Sequence, residues 1–266
     1  MNFQVQLNGQ HPLTLMFHTA ASGIAIIEES AENIFRLDSL AGVEAKSWGG
    51  GGESKYVEHN SLRIGQLNRD SLFIWIDKRS GRGTDGKFGP NFFGDKIIEV
   101  IVDQGVLCLH EQIPADLTEK GYKAVAISFE RGMMFLEWEL SLDGKTYSHP
   151  FLLHSGYSGS LLFDDAFAAE HGLGEKLEIL KTDELQDSYG NVLKTQKAIW
   201  PQMKLSDQAF EDVPVSFFEG ALGRQKYSVM GGELIKRFNF FIDRENALMY
   251  LAPNSLAYTD FPPIKD

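Results

Sequence analysis

Two stretches of this chain carry one pattern. Leu15-Met-Phe-His-Thr-Ala-Ala-Ser-Gly23 and Phe151-Leu-Leu-His-Ser-Gly-Tyr-Ser-Gly159 each run from apolar residues into a histidine, then Thr or Ser, and close on Ser-Gly. A motif met twice, about half a chain apart in 266 residues, marks an internal duplication. A duplicated chain must fold as two similar halves, each presenting its histidine, His18 or His154, at the same structural position.

The repeat reaches past these loops. Arg63-Ile-Gly-Gln-Leu-Asn-Arg-Asp-Ser-Leu-Phe-Ile-Trp-Ile-Asp77 echoes Lys204-Leu-Ser-Asp-Gln-Ala-Phe-Glu-Asp-Val-Pro-Val-Ser-Phe-Phe218. Gly94-Asp-Lys-Ile-Ile-Glu-Val-Ile-Val-Asp103 aligns without a gap on Leu234-Ile-Lys-Arg-Phe-Asn-Phe-Phe-Ile-Asp243. A closing apolar strand follows each, Gly105-Val-Leu-Cys-Leu-His110 and Ala247-Leu-Met-Tyr-Leu251. The order of these pieces predicts a first lobe over 1–112, a Pro-containing polar linker over 113–122 and a second lobe over 123–266.

Local signals are those of short strands. Gln4-Val-Gln-Leu7 alternates, and Leu72-Phe-Ile-Trp-Ile76 is β-branched and aromatic. Ala124–Phe129 and Met133–Leu140 behave likewise across an Arg131-Gly132 turn. Asn8-Gly9 and Asp143-Gly144 are hairpin signals at matching places in the two lobes. Helices are expected to be short: Asp164–His171, stopped by Gly172, with Glu28–Asn33 as its counterpart, and Gly231–Arg237. The glycines from Gly49 to Gly52 predict a hairpin or loop tip.

Charge and composition exclude several classes. A net charge of −12 argues against nucleic acid and against anionic lipid as partners. No apolar run approaches the roughly 20 residues that cross a bilayer. Cys108 is the single cysteine, so no internal disulfide forms. The opening strand carries no export signal, which predicts a cytoplasmic protein, or a periplasmic or secreted one if a leader has been removed.

An apolar strand followed by Asp-Thr/Ser-Gly-x-Ser-Gly is the catalytic loop of the aspartic proteases. His18-Thr-Ala-Ala-Ser-Gly23 and His154-Ser-Gly-Tyr-Ser-Gly159 resemble it, and the chain is similar to the bacterial, two-lobed retropepsin-like members. Asp85-Gly-Lys-Phe-Gly-Pro-Asn-Phe-Phe93 and Val229-Met-Gly-Gly-Glu-Leu234 resemble the apolar-apolar-Gly segment that lies behind the loop in that family. The resemblance implies a mostly β fold of two homologous lobes, few short helices, and a cleft between lobes that receives an extended peptide. In the family one aspartate from each lobe shares a proton across that cleft, so that one acts as base and one as acid. Histidine stands at both positions here, and no Asp or Glu lies from Met1 to Ile27 or from Gly144 to Phe163. Ala20 also replaces a family glycine. The dyad is therefore degenerate, and no catalytic residue of the family's kind is expected.

Other chemistry is open in principle to the same residues. One neutral and one protonated imidazole at His18 and His154 form a general base and acid in principle, giving a hydrolase of altered chemistry. A metal needs more than two histidines. His11 and His149 lie seven and five residues upstream, roughly 23 and 16 Å away on a strand at about 3.3 Å per residue. His59, His110 and His171 lack ligand spacing. No metal and no cofactor is expected. Thr19 and Ser155 are expected to support the loops by cross-linking them, and Ser22 and Ser158 to stabilise turns rather than act as nucleophiles. Trp48, Tyr56 and Tyr157 are candidate recognition residues, equally explained by packing. The resulting expectation is a monomeric pseudoprotease that binds an extended peptide or protein segment between its lobes.

Overall fold

The computed structural model describes all residues except 41, 48–49, 187–191, 219–224 and 265–266. It is 54% strand and 13% helix, built as two closed six-stranded barrels. The chain divides into two compact units, Met1–Phe92 with Leu185–Leu193, and Phe93–Glu184 with Lys194–Asp266.

In the first unit, strands β1 (Asn2–Leu7) and β2 (His11–Phe17) form a hairpin across Asn8 and Gly9, both at positive φ. Those dihedrals give the turn a twist matching its strands, the reason Asn-Gly signals a hairpin. β3 (Ile24–Ile27) runs into the single-turn helix α1 (Glu28–Glu32). The hairpin of β4 (Val43–Ser47) and β5 (Gly50–Ile64) follows, then β6 (Leu67–Asp77) and β7 (Gly86–Phe88). The order β1-β2-β7-β3-β6-β5 closes by pairing β5 back on β1, with β4 added outside β5. Alternate residues Val5, Leu7, Leu13, Leu15, Phe17, Ile74 and Ile76 are buried, as a barrel with one inward face requires.

The second unit opens with β8 (Ile97–Ile101) and β9 (Val106–His110). β10 (Lys123–Glu130), β11 (Met133–Leu142), β12 (Lys145–His154) and β13 (Leu161–Leu162) come next. Helices α2 (Asp165–Glu170) and α3 (Leu173–Lys176) precede β14 (Lys181–Gln186), β15 (Val192–Leu205), β16 (Gln208–Phe218) and β17 (Ser228–Gly231). Helix α4 (Gly232–Ile235) leads to the hairpin of β18 (Phe238–Asp243) and β19 (Leu248–Pro253). Here the barrel order is β11-β12-β17-β13-β16-β15, closed by β15 on β11, with β14 outside β15. Strand for strand this is the order of the first barrel, so the duplication read from the loops is a duplication of topology.

The backbone repeats in detail as well. The ladder of β5 on β6 shifts register beside Ser71, and that of β15 on β16 keeps its register but omits the pair at Asp212; both residues are non-glycine at positive φ. The segments 63–77 and 204–218 match at that position in the register their sequences give, Ser71 opposite Asp212 in the alignment. The ungapped alignment of 94–103 on 234–243 is two residues out of step. The hairpin turns place Gly105 and Ala247, both at positive φ, at equivalent positions, and Ile101 then corresponds to Asp243. A slip of two residues keeps every side chain on its face, so hydrophobic pattern alone does not detect it.

β8 pairs antiparallel with β18, Glu99 opposite Phe241, so this hairpin is grouped with the first repeat by homology and with the second unit by hydrogen bonding. The segment expected as a linker packs on that sheet. Leu117 is buried with Ile97 and Phe241, and Ile113, Tyr122 and Tyr250 surround them.

Candidate functional site

Each histidine sits where three strands meet. In the first unit β7 lies between β2, with which it runs parallel, and β3, with which it runs antiparallel. β2 ends at Phe17, and His18 N–H donates to the Phe88 carbonyl at 2.9 Å, carrying the β2 ladder one residue further. The chain then turns, with Ala21 N–H donating to the His18 carbonyl at 3.0 Å. Gly89 follows β7 beneath this turn, and a Cβ there would overlap the Ala21 carbonyl oxygen. Phe3, Phe17, Phe88 and Phe92 pack ring to ring below. His18 and Thr19 are both buried, while Ser22 is exposed and its carbonyl accepts from Asn91 Nδ2 at 2.8 Å.

The second unit repeats the construction. His154 ends β12 opposite Gly231 of β17, and β17 lies between β12 and β13. Tyr157 N–H donates to the His154 carbonyl at 3.1 Å, the counterpart of the Ala21 turn. Gly231 has no room for a Cβ, which would meet the Gly159 carbonyl oxygen and the Tyr157 ring. This is the constraint that the apolar-apolar-Gly segments encode in sequence. Tyr157 packs over Gly159 and Gly231, and its hydroxyl hydrogen-bonds Ser216. Burial pushes the Tyr157 pKa up, against the opposing effect of Ser216. Ser155 is half-buried and Ser158 exposed.

The imidazoles are held alike. Ala20 N–H donates to His18 Nδ1 at 3.2 Å, and Tyr157 N–H donates to His154 Nδ1 at 3.0 Å. A backbone N–H can only donate, so each Nδ1 must present its lone pair and each ring proton resides on Nε2. One imidazole nitrogen thus takes a loop amide, as a carboxylate oxygen could. The other nitrogen carries a hydrogen where a carboxylate would offer a second acceptor. In this tautomer neither Nε2 has a lone pair with which to remove a proton from water.

The aromatic candidates lie in different settings. Tyr56 on β5 makes tilted ring contacts with Trp75 at 5.3 Å and Phe73 at 5.9 Å between centroids. Phe73 and Trp75 alternate with the buried Ile74 and Ile76, so the trio occupies the outer face of the β5–β6 ladder, where Phe73 and Trp75 are exposed and Tyr56 is half-buried. A Cβ on Gly23, at the end of the His18 loop, would touch the Trp75 ring. Trp48 lies outside the described residues.

One cluster is absent from the sequence expectations. His149 Nε2 lies 3.0 Å from Asp164 Oδ2 and 2.9 Å from Ser228 Oγ. Ser228 Oγ donates to Asp164 Oδ2 at 2.8 Å, and Asp164 Oδ1 caps α2 by accepting from Phe167 N–H at 2.8 Å. Burial raises the Asp164 pKa, but hydrogen bonds from His149, the Phe167 amide and Ser228 outweigh it and hold the carboxyl below its ordinary value. The group borders a hollow of about 380 Å³ that is also lined by Phe129, Phe135 and Tyr227. Its residue types are those of a Ser-His-Asp triad, but the geometry is not. A triad histidine addresses serine and aspartate through opposite nitrogens. Here one nitrogen faces both, and Ser228 is fully buried. The cluster pins β12, β17 and α2 together.

Among the described residues no group of three or more His, Cys, Asp or Glu side chains converges as a metal site would require. Among the described residues no helix is long and apolar enough to cross a membrane.

No family model matches this sequence, and no curated protein matches it. Among solved structures, the chain is similar to a retropepsin-like aspartic protease from Rickettsia conorii, at 19% identity and a TM-score of 0.35. That match covers 49% of this chain and 89% of the other. At such identity and TM-score the similarity decides nothing about chemistry, and the fold assignment stands on the matched order of strands in the two barrels.

Proposed function

We propose that this chain is a catalytically degenerate aspartic-protease-like protein, which binds an extended peptide or protein segment in a cleft between its lobes without cleaving it. The reading is supported by one observation above the others: both histidines accept a loop amide at Nδ1. Peptide hydrolysis by the family's route needs one group that accepts a proton from water and another that donates one. Two Nε2–H imidazoles are two donors. Thr19 and Ser155 then serve to hold the loops, and the exposed Phe73 and Trp75, with the half-buried Tyr56 against them, offer aromatic surface beside the first loop. Extended segments are bound in such folds by backbone pairing, with side-chain pockets adding selectivity.

The test is a library of extended peptides presented to the purified chain, read both for saturable binding and, by mass spectrometry, for cleavage between pH 3 and 8. Binding without product is expected. Cleavage lost in both His18→Ala and His154→Ala would replace this reading with acid–base catalysis by the histidine pair. A library with no binder would remove the peptide from the proposal.

A further inference from the structure

The second unit covers one of two equivalent strand edges and leaves the other bare. Hairpins β8–β9 and β18–β19 are structural copies joined through β8 and β18, with Gly105 and Ala247 at the same turn position. By that equivalence Val106, Leu107, Cys108 and Leu109 of β9 correspond to Leu248, Met249, Tyr250 and Leu251 of β19. The outer edge of β19 is taken by β10, which pairs antiparallel with Lys123 opposite Leu251, Ala124 opposite Tyr250, Val125 opposite Met249 and Ala126 opposite Leu248. β9 ends the strand order, and among the described residues none pairs with its outer edge.

Side-chain exposure follows this difference. Under β10, Met249 is 1% and Leu251 4% exposed, while their counterparts differ: Leu107 is half-buried and Leu109 is 37% exposed. The apolar layer of Ile98, Val100, Phe240, Ile242, Met249 and Leu251 therefore continues onto β9 through the half-buried Leu107 and ends on the exposed Leu109. Open edges in natural sheets are blunted by lysine, proline, bulges or inward charges, because their free N–H and C=O groups template pairing. Val106-Leu-Cys-Leu109 carries none of these, and the ladder of β9 on β8 is regular.

We propose that the outer edge of β9 is a docking site for one extended polypeptide strand, which pairs antiparallel with Val106–Leu109 and carries small apolar residues, as β10 does at β19. The copy of this hairpin supplies the occupant's chemistry: Lys123-Ala-Val-Ala126 is what β19 accepts on the equivalent edge. Backbone ladder bonds provide the affinity, and the apolar contact over Leu107 and Leu109 sets the register. This site is independent of the histidine loops.

Cys108, the single cysteine, serves as the reporter. The probe is a synthetic peptide with the chain's own 123–130 sequence, carrying Ala124→Cys or Val125→Cys, incubated with the full-length protein in a glutathione redox buffer. Ala124 faces Tyr250, the counterpart of Cys108. The Ala124→Cys peptide is expected to form the mixed disulfide with Cys108 about tenfold more than the Val125→Cys peptide, since cross-linking demands facing Cβ atoms. Leu109→Lys in the protein is expected to abolish that preference, in line with a charged edge. Equal labelling by both peptides and by a scrambled control would overturn the proposal even if the lysine variant failed to fold. So would a Cys108–Cys108 dimer of the protein that excludes the peptide, because the occupant would then be a second copy.

Discussion

A single nitrogen decides what each histidine loop can do. The sequence marks His18 and His154 because the pattern around them is local: apolar strand, hydroxyl residue, Ser-Gly turn. It also marks the glycines behind them, since Gly89 and Gly231 lie under carbonyls that exclude any side chain. What sequence could not supply is the tautomer, which depends on where the Ala20 and Tyr157 amides point. Long-range ¹⁵N–¹H correlation spectra of the folded protein at pH 7 should show Nδ1 unprotonated and Nε2 protonated for both residues. A proton on Nδ1 of either ring would restore a lone pair to its Nε2 and reopen acid–base chemistry there. For Tyr157, recognition and packing were both open from sequence. Its ring packs on Gly159 and Gly231 and its hydroxyl hydrogen-bonds Ser216, whereas the half-buried Tyr56 lies against the exposed Phe73 and Trp75.

Between elements, the junction of β12, β17 and α2 rests on Asp164. Sequence reading placed this residue at a helix start, which its cap on Phe167 explains, but His149 and Ser228 are distant in the chain and only the parallel pairing of β12 with β17 brings them together. The short strands β3, β7 and β13 were illegible for a related reason. Two to four residues carry no period, and their pairing is set by neighbours from elsewhere in the barrel. The carboxyl of Asp164 is held below its ordinary value in the folded protein. Stability from that source is complete above the unfolded carboxyl pKa, near pH 4, and is lost as pH falls through the lower folded value. Asp164→Asn keeps the shape but removes the charge. It should cost about 1–3 kcal/mol at pH 7, the scale for hydrogen bonds to a buried charged group. Its urea midpoint should then vary less than wild type's between pH 4 and 2. Parallel pH profiles for the two proteins would show that the cluster is not linked to folding.

For the whole chain, homology and cohesion divide the molecule differently. The repeat places residues 94–112 with the first lobe, and the alternating closing strands made that legible. The hydrogen-bond ladder of β8 on β18 and the Ile97–Leu117–Phe241 cluster instead tie the hairpin to the second unit. Sequence gave no sign of this because β8 and β9 carry the same face pattern whichever partner they meet. The two groupings predict different folding fragments. A chain of residues 93–266 retains β8, β9 and the cluster, whereas residues 113–266 leave β18 as a bare edge with Phe241 and Ile242 uncovered. Uncovering large buried side chains costs several kcal/mol, on the order of the 3–5 kcal/mol lost when a core phenylalanine is truncated. For a unit of this size that is about 10 °C or more in melting temperature. Residues 93–266 should therefore melt in one cooperative transition monitored by circular dichroism. Residues 113–266 should melt at least that much lower or aggregate, and a peptide of residues 94–112 should restore the difference. Identical melting of the two fragments would mean that β8 and β9 contribute nothing to the second unit, and the bare edge of β9 would lose its structural basis with it.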